Sequence, residues 1–186
     1  MNILYHFRTR GSGAEAVHIA GIAKAMEALG HKVVFSSPTG VDPRVTAGAS
    51  PFKDSGRGGL TGFISRNCPA LLFECLELGY NAAAWLRNNR LLRQQRFALV
   101  YERHAFFLFA TALLAHRRRI PFVVEVNELV GDERVRKQPS LSALVRRCDQ
   151  ITFRRANLIV VVSPHLKRKL VEQWIAAEKI LVLPNA

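Results

Sequence analysis

Short apolar runs alternate with segments of helical periodicity along the whole chain, and this alternation constrains the fold more than any other feature. Residues 2–7 read as a first strand. Residues 14–29 read as a helix with Ile19, Ile22, Met26 and Leu29 on one stripe. Gly30 stands where a helix C-cap glycine is expected, and residues 32–37 follow as a second strand. Residues 38–65 are rich in Gly, Pro, Ser and Thr and lack periodicity, so they read as one long loop. A long helix is expected over 67–96. Its continuous face of Cys68, Leu71, Leu72, Cys75, Leu76, Ala82, Ala83 and Leu86 is expected to pack on the core, with Gly79 a point of bending.

The second half repeats the pattern. Residues 99–101, 121–126, 158–162 and 180–183 read as strands, and 105–116, 140–155 and 164–174 as helices, the last with proline in its first turn. Six strands that are apolar on both faces and separated by helices imply a mostly parallel, doubly wound α/β sheet, helices on both sides. The expectation is one Rossmann-like domain over 1–186.

In such a sheet, ligands bind beyond the carboxyl ends of the strands, near the point where the strand order reverses. That rule narrows the functional search to four stretches. The first is Gly11-Ser12-Gly13-Ala14-Glu15-Ala16, where glycines and a helix N-terminus offer backbone N–H groups to a phosphate. It matches the dinucleotide fingerprint loosely. The turn is longer than that motif uses, and the second strand ends in Ser36-Ser37-Pro38 with no acid for a ribose. A plain connecting turn is the alternative. The second stretch, Tyr101-Glu102-Arg103-His104, gathers a carboxylate, a guanidinium and an imidazole at a strand end, either as a ligand site or as a structural pair. In the third, Glu125 interrupts an apolar strand just before Asn127. A buried carboxylate needs a partner, and Arg103 on the neighbouring strand is the candidate, with or without a catalytic task. The fourth, Ser163-Pro164, lacks the glycines of a nucleophile elbow.

Charge adds a second constraint. Lys and Arg number 27 against 14 Asp and Glu, a formal net charge of +13. Arginines gather at 87–96, at 117–119 and between 134 and 155. Cations favour helix C-termini, but the excess is too large for that alone. Anionic membrane, nucleic acid and phosphorylated ligands are the classes such a surface suits. Nucleic acid ranks last, because recognised modules with interleaved aromatics are missing. The 67–96 segment pairs its apolar stripe with a basic end, as membrane-surface helices do. Three cysteines without C-x-x-C spacing argue against a disulfide framework or a zinc site, and the scattered histidines show no metal-ligand spacing. The N-terminus carries no signal-peptide pattern, so the expected location is the cytoplasm, with peripheral attachment to the inner face of the membrane also admitted.

The ordered set Arg8-Thr9-Arg10-Gly11-Ser12-Gly13-Ala14-Glu15, Leu29-Gly30-His31-Lys32-Val33, Tyr101-Glu102-Arg103, residues 120–127, residues 156–163 and Lys179 to Pro184-Asn185 resembles the N-terminal domain of GT-B glycosyltransferases of the family 4 type. The resemblance implies two Rossmann-like domains across a cleft, retention of anomeric configuration, and no metal or cofactor, the nucleotide-sugar being a substrate. It implies that Gly11, Ser12 and Gly13 approach the donor phosphates. Glu15, Arg103, His104 and Glu125 are the further candidate substrate-binding residues. Asn127 takes the catalytic position where many relatives carry histidine. Asparagine donates and accepts hydrogen bonds but does not titrate near neutral pH, so contact rather than proton transfer is expected, with His104 a compensating group. The acceptor is expected to be a saccharide or lipid-linked saccharide of cell-surface or exopolysaccharide synthesis. Because the motif Pro184-Asn185 stands at the end, the C-terminal nucleotide-sugar domain is expected to be missing and the fragment inactive alone. A membrane- or polyanion-binding module and a dinucleotide-binding oxidoreductase domain are the competing readings.

Overall fold

The computed structural model describes residues 1–8, 14–46, 70–132 and 138–184. Its elements run β1 (Asn2–His6), α1 (Ala14–Ala28), β2 (Lys32–Ser36), a short α2 (Pro43–Thr46), α3 (Ala70–Gln94) and β3 (Leu99–Arg103). They continue through α4 (Ala110–Arg117), β4 (Phe122–Val126), α5 (Ser142–Arg155), β5 (Leu158–Val161), α6 (Pro164–Glu172), a 3-10 turn (Ala177–Lys179) and β6 (Ile180–Val182). All pairings are parallel, in the order β2-β1-β3-β4-β5-β6. The expected doubly wound α/β sheet is therefore present.

Register explains how the core divides. Tyr5, Tyr101 and Val123 lie side by side across β1, β3 and β4, so they share one face. They join Ile19 and Ala23 of α1 in one apolar cluster. The alternate residues Leu4, Val100, Phe122 and Val124 point the other way, into a larger cluster with Leu92 of α3, Leu114 of α4, Phe153 of α5 and Leu170 of α6. This split is what right-handed crossovers require when the chain first steps from β1 to β2 and then reverses toward β3.

Helix α3 departs from its expected orientation. It runs unbroken through Gly79, and its supposed core stripe is outside: Leu71, Leu72, Leu76 and Leu86 are among the exposed large hydrophobics. The buried positions are Glu74, Asn81, Ala84, Asn88 and Leu92. Glu74, Asn81 and Asn88 recur every seven residues, and each satisfies backbone or side-chain groups that the other helices leave open. Glu74 accepts the N–H groups of Ser140 (2.6 Å) and Leu141 (2.8 Å) at the start of α5. The Asn81 carbonyl accepts those of Phe109 and Ala110, both at 2.9 Å, at the start of α4, and its amide donates to Phe107 O at 2.7 Å. Neither α4 nor α5 has a side-chain cap at its own N-cap position. The caps come instead from α3, because buried N–H groups at a helix start cost free energy unless paired. Asn88 donates to Thr111 Oγ1 (3.0 Å) and accepts from Ser36 Oγ (2.5 Å).

The remaining boundaries shift little. Helix α4 begins five residues later than its apolar run, since Phe107 takes φ +64° and buries fully ahead of the first turn. Gly30 closes α1 at φ +80°, the left-handed value its position calls for. Pro164 opens α6 with Ser163 as its N-cap, the Ser163 hydroxyl accepting Leu166 N–H at 3.3 Å.

Candidate functional site

The strand order reverses between β1 and β3, which places the crevice at the carboxyl ends of β1, β3 and β4, on the face covered by α1. Glu125 is the centre of this region. Its side chain is 2% exposed and takes four hydrogen bonds. Oε1 accepts from Arg103 (3.0 Å) and Asn127 Nδ2 (2.7 Å) and lies 2.8 Å from His18 Nε2; Oε2 accepts from the Tyr101 hydroxyl at 3.0 Å. Register puts Arg103 beside Glu125, so the pair expected from sequence forms through strand adjacency alone. The carboxylate is offset by one guanidinium and held by three further donors, which is what a buried charge requires.

Burial, reinforced by the Glu125 charge, pushes the Tyr101 and Tyr5 phenols well above their ordinary range, so both stay neutral, and Tyr101 donates to Glu125. Arg103 commits one N–H to Glu125, and its side chain keeps 14% exposure. A guanidinium carries five donors, so others remain to face an anion in the crevice. Asn127 is half-buried with one amide hydrogen engaged, leaving its carbonyl oxygen and second hydrogen for a polar ligand such as a sugar hydroxyl. Glu15 lies half-buried in the first turn of α1, one helical turn before His18.

Not every candidate converges there. His104 sits on the opposite face, buried against Phe106 and Phe153, with Nε2 2.8 Å from Asp149 of α5. Side chains alternate along a strand, so His104 points away from Arg103, and only its N–H, donating to Glu125 O (2.8 Å), continues the ladder to β4. The compensating role for His104 beside Asn127 is thus not one this placement offers. Gly11, Ser12 and Gly13 lie outside the described residues, as does Asn185. His18, by contrast, is drawn in by the fold. In the sequence it is one of several scattered histidines, and only its three-residue spacing from Glu15 on the α1 stripe hints at a shared direction. Arg8 also enters, donating to Phe106 O (2.9 Å) and pairing with Glu77 (2.6 Å), which ties the end of β1 to α3.

Among the described residues no group of three or more His, Cys, Asp or Glu side chains is placed to hold a metal ion. None of the described helices is long and apolar enough to cross a membrane.

Comparison with solved structures agrees with this architecture. The Anabaena protein Alr3699/HepE, solved in complex with UDP, matches with a TM-score of 0.62 at 14% identity over 100% of this chain and 44% of its own. The UDP-GlcNAc 2-epimerase of Methanocaldococcus jannaschii matches at 0.58 and 13%, over 100% and 46%. A lipopolysaccharide outer core galactosyltransferase, WaaB, matches at 0.50 and 14%, over 100% and 46%. At such identities the likeness is one of fold, and the chain spans less than half the length of each. Comparison with curated proteins returns no match. The family model described as Glycosyltransferase Family 4 matches residues 13–186, nearly the whole sequence and every element from α1 onward, and the chain belongs to that family.

Proposed function

We propose that this chain is the acceptor-side domain of a retaining glycosyltransferase that moves a sugar from a nucleotide-sugar donor to a saccharide or lipid-linked saccharide of cell-surface synthesis. The observation that carries this reading is the Glu125 cluster, which aims Arg103 and Asn127 into the crevice at the start of α1. In it, Arg103 meets donor phosphate, and Asn127 contacts the transferred sugar. The backbone of Gly11, Ser12 and Gly13, with the N-terminal turn of α1 that holds Glu15, completes the phosphate approach. Asn127 cannot exchange a proton near neutral pH, so its part is orientation. Glu125 positions both of its neighbours and, being spent on four donors, does not act as a base.

The test is NMR titration of the chain with UDP-, GDP- and dTDP-sugars and with NAD. A sugar nucleotide is expected to bind weakly and to shift the resonances of Arg103, Glu125 and Asn127, with Arg103→Ala abolishing the shifts. Silence toward every sugar nucleotide, or tighter binding of NAD, would overturn the reading. Mixing the chain with a donor and a saccharide acceptor is expected to yield no product, since most of the nucleotide-sugar site belongs to the other domain of such enzymes. Epimerised sugar from the donor alone would place the chain with the epimerases instead.

A further inference from the structure

The Glu125 cluster leaves one of its members with a free polar atom. An ionised carboxylate only accepts, so the His18 nitrogen 2.8 Å from Oε1 is a donor and Nε2 carries the hydrogen. The neutral ring then holds its lone pair on Nδ1. Among the described residues no hydrogen bond reaches Nδ1. The two ring nitrogens face nearly opposite ways, so Nδ1 turns away from the buried carboxylate. The His18 side chain is 27% exposed, although Glu125 behind it is 2% exposed. An imidazole fixed in one tautomer by a carboxylate, with its other nitrogen open, is a pre-set hydrogen-bond acceptor.

The fold leaves room in front of it. Register carries the Glu125 row on through Val160 of β5 to Leu181 of β6, on the same face of the sheet. Helix α1 packs chiefly on β1, β2 and β3 there, and α3 to α6 pack on the opposite face. The row beyond Glu125 therefore stays open, and Leu181 at its end is 44% exposed. Glu15 lies three residues before His18, so its carboxylate shares that side of the helix. The α1 wall of the crevice thus presents two side-chain acceptors. The strand ends present the reverse, the spare N–H groups of Arg103 and the second amide hydrogen of Asn127. A ligand phosphate or carboxylate brings only acceptors and suits the strand ends. A sugar hydroxyl brings a hydrogen, and that is what the α1 wall lacks.

We propose that His18 Nδ1 accepts a hydrogen bond from a hydroxyl of the acceptor, and that the α1 wall selects a neutral saccharide over a uronate or a sugar phosphate. The inference rests on the glycosyl-transfer reading and divides the crevice, strand ends for the donor and α1 for the acceptor. Glu125 acts here through His18, as a positioning residue that fixes which nitrogen is bare. The excess of arginine elsewhere in the chain does not bear on this wall, whose own charged side chain is Glu15.

The experiment is heteronuclear NMR of the protein labelled in its histidine rings, recorded at about pH 8, above the ordinary imidazole range. The free chain is expected to show His18 with hydrogen on Nε2 and a bare Nδ1. Methyl glucoside, galactoside and mannoside are then added to tens of millimolar, with methyl glucuronide as the charged control. A neutral glycoside is expected to shift the Nδ1 resonance, and the glucuronide to bind roughly tenfold more weakly. His18→Lys keeps a donor for Glu125 but offers no acceptor, and is expected to weaken glycoside binding roughly tenfold. An unchanged unfolding midpoint establishes that the variant folds, and the spectrum of the parent chain tests the tautomer without it. Hydrogen on Nδ1 in the free chain, silence of Nδ1 toward every glycoside, or glucuronide binding as tightly as glucoside would overturn the proposal. So would a His18→Lys chain that binds glycosides like the parent. Shifts of Arg103 by sugar nucleotides are read separately. Their presence beside a silent Nδ1 ends this inference alone, and their absence beside a shifted Nδ1 ends the glycosyl-transfer reading on which it rests.

Discussion

His18 of α1 and Glu125 of β4, 107 residues apart, meet at 2.8 Å over the carboxyl end of the sheet. That contact closes the cluster from above, as Arg103 closes it from the side. Glu125→Gln keeps the shape and removes the charge, leaving Arg103 near-buried without its counter-ion. A loss of about 3 kcal/mol of stability is expected, as when one partner of a buried pair is removed. Urea unfolding checks it. A change under about 0.5 kcal/mol would show that the pair is solvated in solution.

Asn81 is buried on α3, and leucine keeps a similarly branched side chain without its polar atoms. Asn81→Leu leaves the N–H groups of Phe109 and Ala110 and the carbonyl of Phe107 without their partner. Each unsatisfied buried group costs about 1–3 kcal/mol, and water entry would relieve part of it, so a loss of about 3 kcal/mol is expected. Leu76→Asn, the reverse exchange on the outward face, should change stability by less than about 0.5 kcal/mol. Thermal unfolding of the two variants reads the contrast; equal effects would contradict the orientation of α3.

All three tyrosines, Tyr5, Tyr80 and Tyr101, have phenols raised above the ordinary value of 10.0, burial being the first cause in each. A group whose folded pKa is raised contributes stability that is present below its unfolded value and lost as pH climbs past it. Stability is therefore expected to hold through neutral pH and to fall above about pH 10, by up to about 1.4 kcal/mol per pH unit for each buried phenol. Tyrosinate ultraviolet absorbance should rise together with the loss of helical circular dichroism. A free titration near pH 10 in a folded chain would refute the burial.

Gly30 turns the chain from α1 into β2 with φ +80°. A Cβ there meets nothing within 4 Å, so the cost of Gly30→Ala is purely conformational. About 1 kcal/mol is expected from the left-handed backbone. Gly21, inside α1 with equally open space, should respond to alanine in the opposite sense, gaining helix propensity. Chemical denaturation of the pair separates the two effects.

What sequence could reveal follows from the range of each interaction. Strands buried on both faces must be apolar throughout, so β1, β4 and β5 stand out in the letters. Gly30 and Pro164 mark helix ends through local backbone chemistry, and Arg103 finds Glu125 because neighbouring strands hold them in register. The orientation of α3 was hidden for the opposite reason. Periodicity identifies an apolar stripe but not which side faces the sheet. Here the choice falls to Glu74 and Asn81, whose partners lie 66 and 28 residues away. His18 was obscure likewise, because its meaning resides in a carboxylate on a distant strand. His104 shows the converse, a residue beside a site in sequence whose ring belongs to another face.

The borrowed caps also bear on the order in which the molecule assembles. The N–H groups of Phe109 and Ala110 at the start of α4, and of Ser140 and Leu141 just ahead of α5, are accepted by side chains of α3, a helix that precedes both. Nucleation is the costly step of helix formation, and here it is assisted from outside. Until α3 has docked, those two helices lack a stable start, and the β3–α4–β4 and β4–α5–β5 units cannot consolidate one at a time. The half of the sheet from β3 onward should then gain protection from hydrogen exchange as one cooperative unit, with α3 as its first member rather than its outermost layer.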